Sequence, residues 1–518
     1  MYECPNCGGN LRFDIPSQQL ACNYCDTHVS PYAIKKETDG VEQNYYEATV
    51  FTCPQCAGEI ITTDNEAASF CSFCGASTIL SERIAKEKRP KYIIPFKITK
   101  ESCKKEYAKK MQKAFFAPKE LRDPKYIDGF RGIYMPYWTY QLTQKGRVSF
   151  DGEKSHRSGD YIITEHYKLN GDLDAYYLGY SRDASSGFYD NISEPLAPFD
   201  AKQLVNFEPT FLSGFYADTG DVDASVYLDD VTELANESTF EKVCKEPAFK
   251  GYSIASENKS RLRAKIPTVC KEADNTMYPV WFLSYRNKDR VAYATVNGQT
   301  GKVVADSPVD IKKYIMSSLI LAMPIFLLLN LFFTVTPVTL LGLSCLLILI
   351  SAWIYKREIR AIRIKENNEE DEGVQVKKAV TKAKKSKSSS ANGWKGVANI
   401  FSFTVIGTMA VMGVILLGMR GMALIAIIAD CIMCGMGIRE ARKAGGIIPA
   451  GFIANIVMAV ISGLIFIGNP VSDLWYYAGA VLTLIAVTVN VLDMIRNYNR
   501  LAMRRLPQFE KRGGDLHA

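Results

Sequence analysis

Histidine is scarce in this chain of 518 residues: only His28, His156, His166 and His517 occur, scattered along its length. That removes most of the supply of the commonest general acid–base residue. His156 and His166 flank an expected hairpin, but nothing marks a nucleophile beside them. Also missing are a Walker phosphate loop, a GxGxxG opening a helix and a GxSxG nucleophile elbow. With no catalytic constellation to build on, the chain is expected not to be an enzyme. The start, MYECPNC, has neither a basic stretch nor an apolar core, so no secretory signal peptide is expected. Basic residues are few there too: residues 1–80 carry Arg12, Lys35 and Lys36 against ten acidic residues. Phosphate binding needs a basic face, so nucleic acid is an unlikely partner.

Cysteine, by contrast, is plentiful and patterned. Of fourteen, eight fall in four CxxC pairs within the first 74 residues. Cys4-Pro-Asn-Cys7 is followed after fourteen residues by Cys22-Asn-Tyr-Cys25. Cys53-Pro-Gln-Cys56 and Cys71-Ser-Phe-Cys74 repeat that spacing 49 residues later. Each CxxC turn aims two thiolates at one ion, and two turns complete a tetrahedral shell. Redox pairs of the thioredoxin type use a single CxxC opening a helix, which two matched tetrads do not resemble. Four thiolates suit iron as well as zinc, and zinc is preferred on spacing. The expected cofactor is therefore Zn2+ at two structural sites, in ribbons at residues 1–30 and 48–80. Short strand-like pieces, Leu11–Ile15 and Glu59–Thr62, lie between the knuckles. A full sulfur shell leaves no open position for metal catalysis; zinc's work here is folding.

The formal net charge of +7 conceals a division along the chain. Residues 1–90 hold 7 basic and 12 acidic residues, 91–310 hold 31 of each, and 311–518 hold 24 against 12. The basic surplus sits beside apolar runs. Tyr314–Phe333 and Val338–Tyr355 contain no charge and are long enough to span a bilayer. Four more spans are expected at about Val397–Met419, Met422–Ile438, Ile447–Gly468 and Leu474–Met494. If residues 1–313 are cytoplasmic, the inside loops carry 12, 3 and 6 Lys/Arg, and the outside loops only Arg420. That asymmetry predicts a multi-pass cell-membrane protein with the first 313 residues and the C-terminus cytoplasmic. Residues 314–355 form a hairpin, 356–396 a charged disordered linker, 397–494 a four-helix region and 495–518 a basic tail. The linker's lysines suit anionic headgroups or serve as a plain positive-inside anchor. Asp430 is the conspicuous ionisable residue within a span and a candidate functional group. Cys431 and Cys434 form another CxxC, but on an apolar helix where small packing residues are expected.

Residues 91–310 are rich in tyrosine, phenylalanine and β-branched residues in short alternating runs, which reads as a β-rich α+β domain. Helical spacing covers Lys100–Phe116, and a second helix is expected within 221–245. Pro136-Tyr-Trp138 and Pro279-Val-Trp281, 143 residues apart, hint at duplication. Their aromatic residues are read as core rather than as a ligand cage.

The combination CPNCGG…CNYC, CPQCAG…CSFCG, KYIIPFKIT, YMPYWTY, YPVWFLSY and VNGQTGKV resembles bacterial zinc-ribbon membrane proteins of the Bacillus YdjG type. The resemblance covers residues 1 to about 355, and the last four spans depart from it. It implies an association with the phage-shock protein PspA and an SPFH-like membrane partner at stressed membrane. The expected fold is multidomain: two small β zinc ribbons, a β-rich α+β cytoplasmic domain at 91–310, and an all-α transmembrane region of about six helices. The expected role is a membrane-anchored adaptor recruiting proteins to the lipid membrane, with oligomerisation left open. The rival is a transporter or lipid-handling protein in which Asp430 matters and the ribbons regulate.

Overall fold

Alternating aromatic and β-branched residues from Arg131 onward make two strands of unusual length. In the computed structural model the described residues are 2–34, 45–62, 71–76, 81–254, 259–288, 290–332, 336–368, 423–439 and 450–506. Arg131–Ser158 and Tyr161–Asp183 form one antiparallel hairpin, paired from Tyr137 opposite Asp183 to Ser158 opposite Tyr161. Gly159 supplies the left-handed residue (φ +61°) that the turn requires. A third strand, Thr268–Asn287, lies against the first in antiparallel register, from Thr268 opposite Gln144 to Phe282 opposite Arg131. Arg290–Asn297 then returns along the third.

This arrangement places the two Pro-x-Trp segments on neighbouring strands. Pro279 faces Tyr134, and Met277 faces Pro136. Trp138 Nε1 donates to the Val222 carbonyl and Trp281 Nε1 to the Ile98 carbonyl, each at 2.8 Å. Tyr137 and Tyr278 stack with ring centroids 4.6 Å apart. The aromatic residues are therefore core. Both indole N–H groups are satisfied, which burial demands.

Among the helices packed on the sheet are the two that the sequence leads one to expect. Lys100–Lys113 is capped by Thr99, whose hydroxyl accepts from the Ser102 N–H, and buries Cys103, Tyr107 and Met111 on one face. It stops short of Phe116: Ala114 leaves the helical conformation (ψ 68°) and turns its N–H back to the Met111 carbonyl. The second runs over Leu228–Lys245, with Asp229 and Asp230 in its first turn and Lys242 and Lys245 in its last. Both pairs complement the helix dipole. Its start lies beyond residue 221 because Asp223 caps a separate 3-10 turn at Ala224–Tyr227.

The first ribbon has its own three-stranded sheet: Leu11–Asp14, Gln19–Cys22 and His28–Val29. The second does not stand apart. Its strands Tyr45–Thr52, Glu59–Thr62 and Ser81–Lys88 join the large sheet through Tyr216–Asp218. That short strand pairs with Glu59–Thr62 on one side and with Ile133 and Tyr134 on the other.

Between residues 311 and 502 the described residues are mainly helical. Helices occupy Ile311–Phe332, Pro337–Asn368, residues 423–439, Ala450–Gly468 and Leu474–Ala502. Among the described residues three helices are long and apolar enough to cross a membrane: Leu340–Ala361, Ala450–Gly468 and Leu474–Arg500. The expected span 397–419 lies outside the described residues, as do 369–396 of the expected linker 356–396 and 507–518 of the expected tail 495–518; residues 356–368 and 495–502, expected as linker and tail, instead continue the helices Pro337–Asn368 and Leu474–Ala502.

The end of the last helix is joined to the soluble domain. Arg504 and Arg505 add a short strand beside Arg290 and Val291. The Arg504 guanidinium lies over the Tyr189 and Tyr293 rings, bonds Asp306 at 2.8 Å and donates to Asn191. Arg290 donates to the carbonyls of Arg500 and Met503. Asn499 bonds both the N–H and the C=O of Val309, two residues before the Ile311 helix begins. The entry to the first apolar helix and the exit from the last thus meet at one place on the domain.

Candidate metal centres

All four CxxC turns adopt one backbone geometry. The residue after each second cysteine is left-handed: Gly8 (φ +72°), Asp26 (+54°), Ala57 (+57°) and Gly75 (+68°). Its N–H donates back to the carbonyl of the first cysteine, at 2.8 to 3.0 Å in all four turns. The N–H of each first cysteine donates in turn to the carbonyl one residue further on, Gly9, Thr27, Gly58 or Ala76. The left-handed step turns the chain sharply enough to bring both thiols to the same side. Glycine takes that conformation freely, while Asp26 and Ala57 hold it at a cost of about 1–2 kcal/mol.

The thiols converge accordingly. In the first centre Cys4 and Cys25 Sγ are 3.6 Å apart, and Cys7 and Cys22 Sγ 3.4 Å. In the second, Cys53 to Cys74 is 3.8 Å and Cys56 to Cys71 3.6 Å. Within each group all four sulfurs lie within 4.8 Å of one another. A tetrahedral shell with Zn–S bonds of ~2.3 Å has sulfur–sulfur edges of about 3.8 Å. Both clusters therefore suit structural zinc, as the spacing predicts.

Their surroundings differ. In the first centre Cys4 and Cys22 are buried, Cys25 is half-buried and Cys7 is exposed. The knuckle tip Tyr24 is 80% exposed. The opposite side of this ribbon is anchored: Phe13 donates to the Ser213 carbonyl, the Ser213 hydroxyl to Leu11 O, and Gln18 Nε2 to Phe96 O. Phe13 packs on Phe211 at 5.3 Å. The Thr27 hydroxyl lies 3.1 Å from Cys25 Sγ; with the Thr27 N–H it pulls the Cys25 thiol down to about 6, favouring the thiolate a metal needs.

In the second centre all four cysteines are buried. Tyr293 donates its hydroxyl to the Phe73 carbonyl at 2.7 Å, and Arg286 donates to Gln55 at 2.7 Å. Phe73 meets Phe282 edge-on, and Leu506 packs against the same small core. Tyr293 thus touches both the second knuckle and Arg504, the residue that fixes the last helix. No local pattern announces that link, because its members come from three distant parts of the chain.

The remaining candidates stay apart. Asp430 is buried in the 423–439 helix with Cys434 Sγ 3.7 Å from one carboxylate oxygen. Cys434 is buried while Cys431 is exposed, so this CxxC does not converge on a metal. His166 bonds Glu153 on the exposed distal hairpin, and His28 lies near Ser17 outside the sulfur cluster. Neither joins a metal group among the described residues, and the Ser17 hydroxyl beside His28 donates to Asp14 at 2.6 Å.

The chain is similar to the uncharacterized protein YdjG of Bacillus subtilis (strain 168). The two are 28% identical over 316 residues, covering 60% of this chain and 90% of that relative. A YdjG-type relationship is thereby supported. No family model matches the chain, and no solved structure matches it.

Proposed function

We propose that this protein is a membrane-anchored adaptor whose first zinc ribbon is presented to protein partners at the bilayer surface. One observation carries the reading: ribbon 1 is fastened by its sheet while its metal-bearing knuckles, with Tyr24 at the tip, face outward. A tyrosine held rigidly by a metal turn is a favourable contact, offering apolar area at little entropic cost. Ribbon 2 is the base of the assembly, linked through Tyr293 and Arg504 to the last apolar helix. The shared anchorage of Val309 and Arg504 supports a topology with both ends of the helical region on the domain's side of the membrane. The charge distribution favours the cytoplasmic side. The YdjG-type resemblance suggests the partners: an SPFH-like membrane protein and a PspA-like coiled-coil protein, as part of an envelope-stress response.

The test is capture of a purified SPFH-like or PspA-like protein by the full chain in nanodiscs. Wild type, Tyr24→Ala and Cys4→Ser/Cys7→Ser are compared. Loss of capture in both variants with the rest of the protein intact supports presentation by ribbon 1; equal capture by all three would refute it.

A further inference from the structure

The basic end of one soluble helix lies where the chain turns into its apolar region. Lys100–Lys113 directs Cys103, Tyr107 and Met111 into the domain core, so its apolar face is already taken. Its solvent side carries Lys105, Lys109, Lys110 and Lys113. The turn that follows is held by its own bonds. Arg122 donates to the Ala114 carbonyl at 2.6 Å, and the Ala117 N–H donates to the same carbonyl at 2.9 Å. Within this turn Phe115 is 65% exposed, set edge-on to the partly covered Phe116.

The turn abuts the start of the Ile311–Phe332 helix. The Asp310 N–H donates to the Phe116 carbonyl at 2.8 Å, and Lys313 Nζ donates to the Ala117 carbonyl at 2.5 Å. The Phe116 and Tyr314 rings lie 5.3 Å apart. One to two turns further along that helix Met316, Leu319, Ile320 and Leu321 are each more than half exposed. The surface around Phe115 is therefore continuous with the beginning of an exposed apolar helix.

Charge at this junction is one-sided. Glu106 pairs with Lys109 and Asp128 with Lys104, each at 2.6 Å. Asp123 and Asp310 accept from the backbone N–H groups of Lys125 and Lys312. Lys110, Lys113, Lys119 and Lys312 are exposed and enter no ion pair among the described residues, with Glu120 the exposed acid beside them. Ammonium groups around one exposed ring, at the root of an apolar helix, match an anionic lipid surface. Headgroup phosphates take the cations, and the boundary with the acyl chains takes the ring. An acidic protein would satisfy the cations but not the continuity with the apolar helix.

We propose that the 110–119 turn docks on anionic lipid headgroups of the bilayer that the chain enters at Ile311, with Phe115 seated at the headgroup–acyl boundary. The soluble domain then lies against the membrane instead of standing off it. This rests on the membrane anchorage of the reading above and is independent of the partner of ribbon 1. The test places a photoreactive diazirine side chain at position 115, 320 or 161 of the full chain. Each variant is reconstituted in nanodiscs of phosphatidylcholine with or without phosphatidylglycerol, and lipid adducts are read by mass spectrometry. Position 320 reports the anchor and labels lipid in both mixtures. Position 161, 77% exposed at the far hairpin turn, gives the background. From position 115, phosphatidylglycerol raises labelling by about fivefold or more, and Lys110→Gln/Lys113→Gln or salt at about 0.5 M reverses the rise. Labelling from 115 no greater than from 161, or indifferent to headgroup and lysines, overturns the proposal with the anchorage intact. Loss of lipid labelling from 320 overturns the anchorage, and the proposal with it.

Discussion

Two ribbons with the same spacing, the same four-fold knuckle hydrogen bonds and left-handed residues at the same positions differ in burial and attachment. In the first, Cys7 is exposed and Tyr24 projects, while the sheet beneath is tied to the Pro209–Leu212 turn. In the second, every thiol is buried and the strands are part of the domain's sheet. Repetition of a motif thus fixes the chemistry of a site, while burial and attachment decide what the site is for. A centre whose sulfurs are enclosed stabilises its surroundings. An open one can be contacted by a partner or stripped by a chelator.

The largest expected difference follows from removing ligands. A structural zinc contributes on the order of 10–16 kcal/mol to the folding of a zinc peptide. That matches the whole stability of an ordinary domain, 5–15 kcal/mol or so. Cys53→Ser/Cys56→Ser therefore unfolds ribbon 2 and the sheet region joined to it, whereas Cys4→Ser/Cys7→Ser loosens ribbon 1 alone. Limited proteolysis of the full chain in detergent distinguishes them; equal loss in both variants would erase the contrast. Next in size is Arg504→Ala, which leaves Asp306 without its buried cation and uncovers two tyrosine rings. A loss of about 3 kcal/mol is expected, read as a lowered melting temperature. An unchanged melting temperature would separate the last helix from the base.

Two smaller effects sharpen the comparison within each ribbon. Thr27→Val removes the hydroxyl that favours the Cys25 thiolate, so the thiol pKa rises from about 6. Protons then compete with metal at higher pH, and zinc release from the first centre moves up by about one pH unit. Release followed with a chromogenic chelator checks this; a shift to lower pH would contradict it. Ala57→Gly relieves a left-handed residue in the second centre and gains about 1 kcal/mol, offset in part by glycine's chain entropy. Denaturant titration reads the difference.

Legibility in the sequence followed contact range. The thiol tetrads were readable because ligand and turn lie within four residues of each other. The apolar helices were readable from composition, and Lys100–Lys113 from its Cys103, Tyr107 and Met111 face. The pairing of the two Pro-x-Trp segments was visible only as an echo, since strand register depends on residues 143 positions apart. The merger of ribbon 2 with the sheet rests on Tyr216–Asp218, a three-residue strand with no periodicity of its own. Arg504 read as one basic residue in a tail. Its partners, Asn191, Tyr293 and Asp306, are too far off in sequence for any local pattern to reveal.

The most direct measurement of the account is site-specific photo-crosslinking in cells from two positions, Tyr24 on ribbon 1 and Phe73 on ribbon 2. Presentation by the first ribbon predicts an intermolecular adduct from position 24 to an SPFH-like or PspA-like protein, and only intramolecular adducts from position 73. Intermolecular capture from 73 with none from 24 would contradict it.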